Sequence, residues 1–314
     1  MRILVTGASG FVGKVFCATA IAHGHSVRQV VRTQPADGLS ECFVGDLATT
    51  QDWSAAFAGI DVVVHLAARV HQMREDRKHA AAAYHSVNVD ATRRLVQQAA
   101  AAGVRRFVFI SSIKVNGESS GGQAFIEESR PGPLDLYGSS KWLAETALQE
   151  FAESHGMEWV VLRPPLVYGA NVGGNFRKLL RLVDHGWPLP LGRVQARRSY
   201  VNVWNFAELI LLCCDRPAAA NQLFLAEDLT LSTPELVHRI AVAMGKRSAL
   251  LPFPLWILRC CEVLPVLGPA FRRLIGTLEV SSSKARRLLG WNPSVSAEEA
   301  LQRTVEYYLT HHKG

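Results

Sequence analysis

The sequence predicts a doubly wound parallel α/β sheet followed by a smaller, less regular α/β lobe. Three observations carry this. Short apolar runs of strand length alternate with segments of helical period through the first half of the chain. The first run leads straight into three glycines, Gly7, Gly10 and Gly13. Past Arg163 the rhythm stops, and prolines and glycines become frequent from Pro164 to Gly192. Continuous apolar strands separated by helices mean a parallel sheet covered on both faces.

Taken in order, Ile3–Val5 reads as a buried strand. Thr6–Gly13 follows as T-G-A-S-G-F-V-G. Gly7 permits a tight turn, and Gly10 lets the backbone approach a pyrophosphate at a helix N-terminus. Gly13 lets the helix from Phe11 pack closely on the strand. The spacing G-x-x-G-x-x-G is one residue longer in its first gap than the usual Rossmann-like dinucleotide fingerprint. Helix Phe11–His23, strands Val27–Val31 and Cys42–Val44, helix Trp53–Phe57 and strand Val62–Leu66 come next. Helix Val87–Ala102, strand Phe107–Ser111, helix Tyr137–Ser154 and strand Val160–Arg163 complete the series. Gly24, Gly59, Gly103 and Gly156 stand at or just past the helix ends, where a left-handed residue closes a helix. Residues 1–170 are expected to bind a dinucleotide and residues 171–314 to form the substrate lobe. In such sheets ligands lie beyond the carboxyl ends of the strands.

Composition narrows the class. The chain has 314 residues, 48% hydrophobic and 19% charged, which supports a sizeable core and excludes disorder. With a core strand directly after Met1, no signal peptide is expected. The six cysteines lack metal-ligand spacing, so reduced thiols in a cytoplasmic protein are expected, with no metal. The net charge of +7 suits anionic ligands carrying diphosphates. Basic pairs at Arg197–Arg198, Arg272–Arg273 and Arg286–Arg287 are too scattered for nucleic acid. The apolar region Leu250–Phe271 is broken by four prolines, which rules out an integral membrane segment. It reads as an amphipathic helix, Leu255–Val263, in a globular lobe, with peripheral membrane contact as the alternative.

The chemistry concentrates in Tyr137-Gly-Ser-Ser-Lys141, with Ser112 at the end of the fifth strand. Tyr137 and Lys141 are one helical turn apart on one face. An ammonium beside a phenol lowers a pKa that is ordinarily near 10. A phenol so tuned exchanges a proton with an alcohol while hydride moves at its carbon. Ser112 is placed to bond the same substrate oxygen.

With these motifs in hand, the chain resembles the extended short-chain dehydrogenases/reductases that act on nucleotide sugars. TGASGFVG resembles that family's cofactor loop, GDL at Gly45–Leu47 its adenine-facing element, and HLAA at His65–Ala68 the strand end lining the cofactor. NVDAT at Asn88–Thr92, SSIKVNG at Ser111–Gly117, LRPPLVYG at Leu162–Gly169, RSYVNV at Arg198–Val203 and SSSKARRLLGWNP at Ser281–Pro293 continue the likeness in order. The resemblance implies proton chemistry by Ser112, Tyr137 and Lys141. It implies cofactor contacts at Gly7, Gly10, Phe11, Val12, Gly13, Asp46, Leu47, Leu66, Ala67, Ala68, Ser111 and Pro164. It implies a UDP-sugar held by Ser112, Asn116, Arg198 and Arg273, with Asn175 as a further candidate. It also implies a homodimer formed through helices Val87–Ala102 and Tyr137–Ser154.

Two departures refine the reading. NAD-preferring members carry an acid at the end of the second strand; here Val31 is followed by Arg32. A guanidinium pairs with a 2′-phosphate that a carboxylate would repel, so NADP(H) is expected, with NAD(H) as the alternative. After Ser112 the Asp-Glu pair of the 4,6-dehydratases is replaced by Ile113 and Lys114, which argues against water elimination. Asn116 stands where the family has tyrosine, and Leu166 where many members have asparagine. The expected function is reduction of a UDP-4-keto-6-deoxy-N-acetylhexosamine in bacterial polysaccharide synthesis. The alternatives are a UDP-hexose or UDP-N-acetylhexosamine 4-epimerase with tightly bound NAD and, more remotely, a non-catalytic dinucleotide-binding regulator.

Overall fold

The structure, a computed structural model, describes residues 1–33, 41–70, 77–260 and 268–311. Ten strands are described: β1 Arg2–Thr6, β2 Ser26–Val31, β3 Cys42–Val44, β4 Val62–His65, β5 Arg106–Ile110, β6 Glu158–Arg163, β7 Leu166–Tyr168, β8 Arg197–Asn202, β9 Gln222–Leu225 and β10 Leu229–Ser232. The α-helices in the first half are α1 Phe11–Ala22, α2 Ser54–Phe57, α3 Arg77–Tyr84, α4 Ala91–Ala101 and α5 Leu136–His155. Those in the second half are α6 Gly174–Asp184, α7 Val203–Asp215, α8 Thr233–Ala243, α9 Leu255–Cys260, α10 Gly268–Ile275, α11 Ser283–Leu289 and α12 Ala297–His311.

Seven strands form one sheet in the order β3-β2-β1-β4-β5-β6-β9, and every pairing is parallel. The side-chain period of two sorts each strand between two cores. Ile3, Val5, Val62, Val64, Val108, Ile110, Val160 and Leu162 face one core, with α1, α7 and α11. Leu4, Val63, Phe107, Phe109 and Val161 face the other, with α2, α4 and α5. The chain leaves β1 for β2 on one side and reaches β4 on the other. That reversal opens a crevice at the carboxyl ends of β1 and β4, where ligands of such sheets bind.

The six strands expected in the first half are all present, within one or two residues at their ends. The helix expected from Val87 begins earlier. Chain from α3 runs through a π-helical stretch, His85–Asp90, into α4. The wider turn fits the buried Asn88, whose side chain bonds the loop after β4. Of the helix expected over Leu255–Val263, α9 covers Leu255–Cys260, and the remainder lies outside the described residues.

Residues beyond 170 contribute to both lobes. The strand β9 completes the large sheet, and α7 packs on α1. A second sheet, β10-β8-β7, and the core of α6, α8, α9 and α12 form the other lobe. Only Pro164 and Pro165 separate β6 from β7, so the second sheet starts beside the end of the first.

Candidate active site

A cleft of about 680 Å³ lies at the switch point. Gly7 and Gly10 line it from the first loop, Arg32 from the end of β2, Asp46 and Leu47 from the segment after β3, and Leu66, Ala67 and Ala68 from the segment after β4. Gly7 has φ +72°, and a Cβ there would stand 2.7 Å from the Ala67 nitrogen. A Cβ on Gly13 would lie 2.1 Å from the Gly7 oxygen. Both positions therefore require glycine. At the start of α1, Gly10 provides no side-chain cap, and the first turn carries no acid. The free amides and the positive end of the helix dipole are thus left for an anion.

Phe11 and Val12, also in that first turn, are partly buried, and Phe11 packs against the core of the second lobe. Ser111 is buried at the end of β5, and its hydroxyl has no partner in the protein. Pro164 is buried after β6, with its carbonyl accepting from the Ile113 amide at 3.0 Å. A glycine-lined cradle, an uncapped helix start and an orphaned buried hydroxyl fit a dinucleotide.

The catalytic candidates sit on two adjoining pieces. Ser112 heads a short 3₁₀ turn, Ile113–Val115, and its Oγ accepts from the Lys114 amide at 3.3 Å. Helix α5 is capped by Asp135, whose Oδ1 accepts from the Gly138 amide at 2.7 Å. Lys114 ties the pieces together: its ammonium donates to Asp135 and, at 3.3 Å, to Glu118. A Cβ on Gly138 would stand 2.7 Å from the Lys114 oxygen, so the helix approaches the turn closely. Tyr137, beside Gly138, is thereby carried to the turn that Ser112 heads.

Lys141 is 1% exposed. Its Nζ donates to the Ile110 carbonyl at 2.7 Å and lies 4.4 Å from the centre of the Phe109 ring. Burial lowers its pKa to about 7, with Glu145 opposing. The Tyr137 phenol departs from expectation. Burial, then the charge of Asp135 and the neighbouring Tyr84, push its pKa up, so it is held protonated. The ammonium that was expected to lower it is directed instead to a carbonyl and an aromatic face.

Three further features support the site. Asn88 Nδ2 donates to Ser140 Oγ at 2.9 Å, and that hydroxyl donates to the Tyr137 carbonyl at 2.8 Å. Buried His65 bridges Thr6 and Thr92 at 2.6 and 3.0 Å. The Thr92 hydroxyl donates to the Asn88 carbonyl, so it accepts from His65 Nε2–H; Nδ1 then accepts from Thr6. Burial, then the charge of Lys141, lower the His65 pKa to about 3, so it stays neutral. Finally, Arg163 and Glu145 form a buried ion pair, with Nη2 to Oε2 at 2.5 Å. The motifs HLAA and NVDAT mark the first two features; nothing in the sequence marks the pairing of Arg163 with Glu145.

The proposed substrate residues are dispersed. Asn116 is buried, accepting from Arg163 at 3.0 Å and donating to the Ser129 carbonyl at 2.9 Å, so its amide supports β6. Asn175 is exposed near the start of α6. Arg198, in β8, donates to the Gly276 carbonyl at 2.9 Å. Arg273 lies in α10, and its side chain is outside those described. Among the described residues, no group of three or more His, Cys, Asp or Glu side chains could hold a metal ion.

A UDP-glucose 4-epimerase of Vibrio cholerae is 40% identical over 313 residues, covering 98% of this chain and 95% of that protein. A short-chain dehydrogenase/reductase superfamily protein of Agrobacterium tumefaciens, solved with bound NAD, superposes with a TM-score of 0.79 at 25% identity, covering 99% of this chain and 98% of that one. The fold is also that of the Thermotoga maritima UDP-glucose 4-epimerase solved with UDP-glucose, at TM-score 0.79, 24% identity and 99% coverage of both chains. The profile of the NAD dependent epimerase/dehydratase family matches residues 3–224, and the chain belongs to that family of extended short-chain dehydrogenases/reductases.

Proposed function

We propose that this protein is a nucleotide-sugar enzyme acting at C4 of a UDP-sugar. The observation that supports the reading is a cleft at the carboxyl ends of β1 and β4, with the Ser112 turn and the helix of Tyr137 and Lys141 tied to each other by Lys114 and to the cleft-lining Arg69 through Asn88 and Ser140. When bound, a nicotinamide dinucleotide supplies or accepts the hydride at the sugar carbon. The amides at Gly10–Val12 would hold its pyrophosphate, Asp46 and Leu47 its adenine end, and Leu66–Ala68, Ser111 and Pro164 its path along the strand ends. Ser112 orients the C4 oxygen, Tyr137 exchanges a proton with it, and Lys141 supplies positive charge beside them. Ile113 and Lys114 occupy the position after Ser112, with Lys114 engaged by Asp135 and Glu118, so that position carries no carboxylate for water elimination.

Full-length similarity to the Vibrio cholerae protein favours 4-epimerisation of a UDP-hexose or UDP-N-acetylhexosamine. A second reading, reduction of a UDP-4-keto-6-deoxy-N-acetylhexosamine, draws on one observation. Arg32, and no acid, meets the cleft after β2, which suits exchangeable NADPH. The deciding experiment is to purify the protein, identify any retained cofactor, and offer both substrate types. Interconversion of UDP-GlcNAc and UDP-GalNAc, or of the corresponding UDP-hexoses, without added cofactor establishes the epimerase. NADPH oxidation with the keto sugar alone establishes the reductase. Inactivity on both rejects chemistry at C4. We also propose a homodimer through α4 and α5, for which exposed Leu136, Trp142 and Leu143 supply an apolar face; a sedimentation mass of one chain rejects it.

A further inference from the structure

The end of the second lobe where α6 and α8 finish carries exposed apolar side chains with cations among them. Lys246, just past α8, donates to the Asp184 carboxylate at the end of α6, at 2.5 Å. The segment after α6 pairs with the one after α8: Leu189 N–H to the Ala249 oxygen at 2.7 Å, Leu251 N–H to the Leu189 oxygen at 2.8 Å, and Gly192 N–H to the Leu251 oxygen at 2.9 Å. These links gather Leu182, Trp187, Val242 and Leu251 at one end of the lobe, all exposed, and α9 adds Trp256 five residues on. Trp187 is 60% exposed and Trp256 69%, while Leu189, Leu191 and Leu258 beside them are buried in the lobe core. Single exposed apolar residues are ordinary; two open tryptophans in a cluster of five are not. Residues 181–193 and 246–258 contain Arg181, Arg193, Lys246 and Arg247 against one acid, Asp184.

We infer that this face docks on the surface of an anionic phospholipid bilayer. Tryptophan rings favour the depth of the lipid headgroups, and lysine and arginine stems lie along apolar surface with their charges among the phosphates. Each cation near such a surface adds attraction. A second copy of the chain is a poor occupant, because the face would meet its own excess of positive charge. Among the described residues no helix is long and apolar enough to cross a membrane, so the attachment is peripheral.

The test uses the full chain with vesicles of phosphatidylcholine alone and with phosphatidylglycerol added, read by co-sedimentation and by tryptophan emission. Binding is expected to the anionic vesicles only, with a blue shift in emission and loss in high salt. Trp187→Ser with Trp256→Ser should abolish it. Arg193→Glu and Arg247→Glu should each weaken it by about fivefold or more. All three variants should keep the native melting transition and turnover of a soluble UDP-sugar, which separates loss of docking from loss of fold. Native protein that ignores anionic vesicles overturns the inference. So does binding that the tryptophan variant leaves unchanged, or a sedimentation mass in the absence of lipid that falls when the tryptophans are removed.

Discussion

Replacing Phe109 with leucine should move the pH range over which the enzyme works. Lys141 is fully enclosed, and its ammonium has a carbonyl at 2.7 Å and the Phe109 ring centre at 4.4 Å. The carboxylate that supports it electrostatically, Glu145, is itself held by Arg163 from β6. His65 on β4 is neutral, and the Tyr137 phenol is protonated, so neither supplies negative charge. A desolvated cation–π contact is worth about 2 kcal/mol. At 1.36 kcal/mol per pH unit, its loss lowers the Lys141 pKa by about 1.5, starting from about 7. A group that must be charged is lost as pH rises through its pKa, so the basic limb of kcat/KM should move to lower pH by that amount. The assay is kcat/KM against pH, which reports the free enzyme. Phe109→Trp keeps a π face and should leave the limb near its native position. Phe→Leu also removes core volume, a stability loss of about 1 kcal/mol that thermal melting reads separately. A basic limb unmoved in Phe109→Leu, or moved equally in Phe109→Trp, refutes the reasoning.

Three further outcomes are expected. Tyr137→Phe removes the proton donor and keeps the ring, so turnover should fall by about 10²–10⁴ while a fluorescence titration shows dinucleotide binding intact. Arg32→Asp should weaken NADPH binding by roughly ten- to a hundred-fold, the worth of a charge-assisted bidentate contact; equal affinity of the native protein for NADH and NADPH removes the basis for this. His65 has its pKa lowered to about 3 from an ordinary 6.5, so between those values the unfolded chain binds more protons than the folded one. Stability should therefore fall as pH drops through that window, by up to about 4–5 kcal/mol from this residue. Denaturant melts of native protein and His65→Gln should differ in slope there, the variant being less sensitive to acid.

Legibility in the sequence followed locality. The glycine loop, the strand alternation and the one-turn spacing of Tyr137 and Lys141 are short-range patterns, and each appears in the structure where it was read. The reading of the phenol failed because it assumed that one turn of separation settles where the ammonium points. Lys141 turns instead to Ile110 and Phe109, residues about thirty positions earlier. Phe109 carried no signal of its own, since an aromatic residue in an apolar strand reads as packing. Asn116 was read as a substrate contact from its place in a motif, yet Arg163, 47 residues away, occupies its oxygen.

By itself, the sequence determined the period-two and helical patterns that make a parallel sheet with helices on both faces. It also determined the positions that must lack a side chain, because Gly7 and Gly13 leave no room for one. Only the tertiary structure decided that β9, far along the chain, closes the large sheet beside β6. Strand pairing across sixty residues depends on which edge remains open once the earlier strands have packed, and no local pattern encodes that. The protonation states at the site were likewise decided only in three dimensions. They depend on how deeply His65, Tyr137 and Lys141 are buried and on which charges from other elements stand beside them.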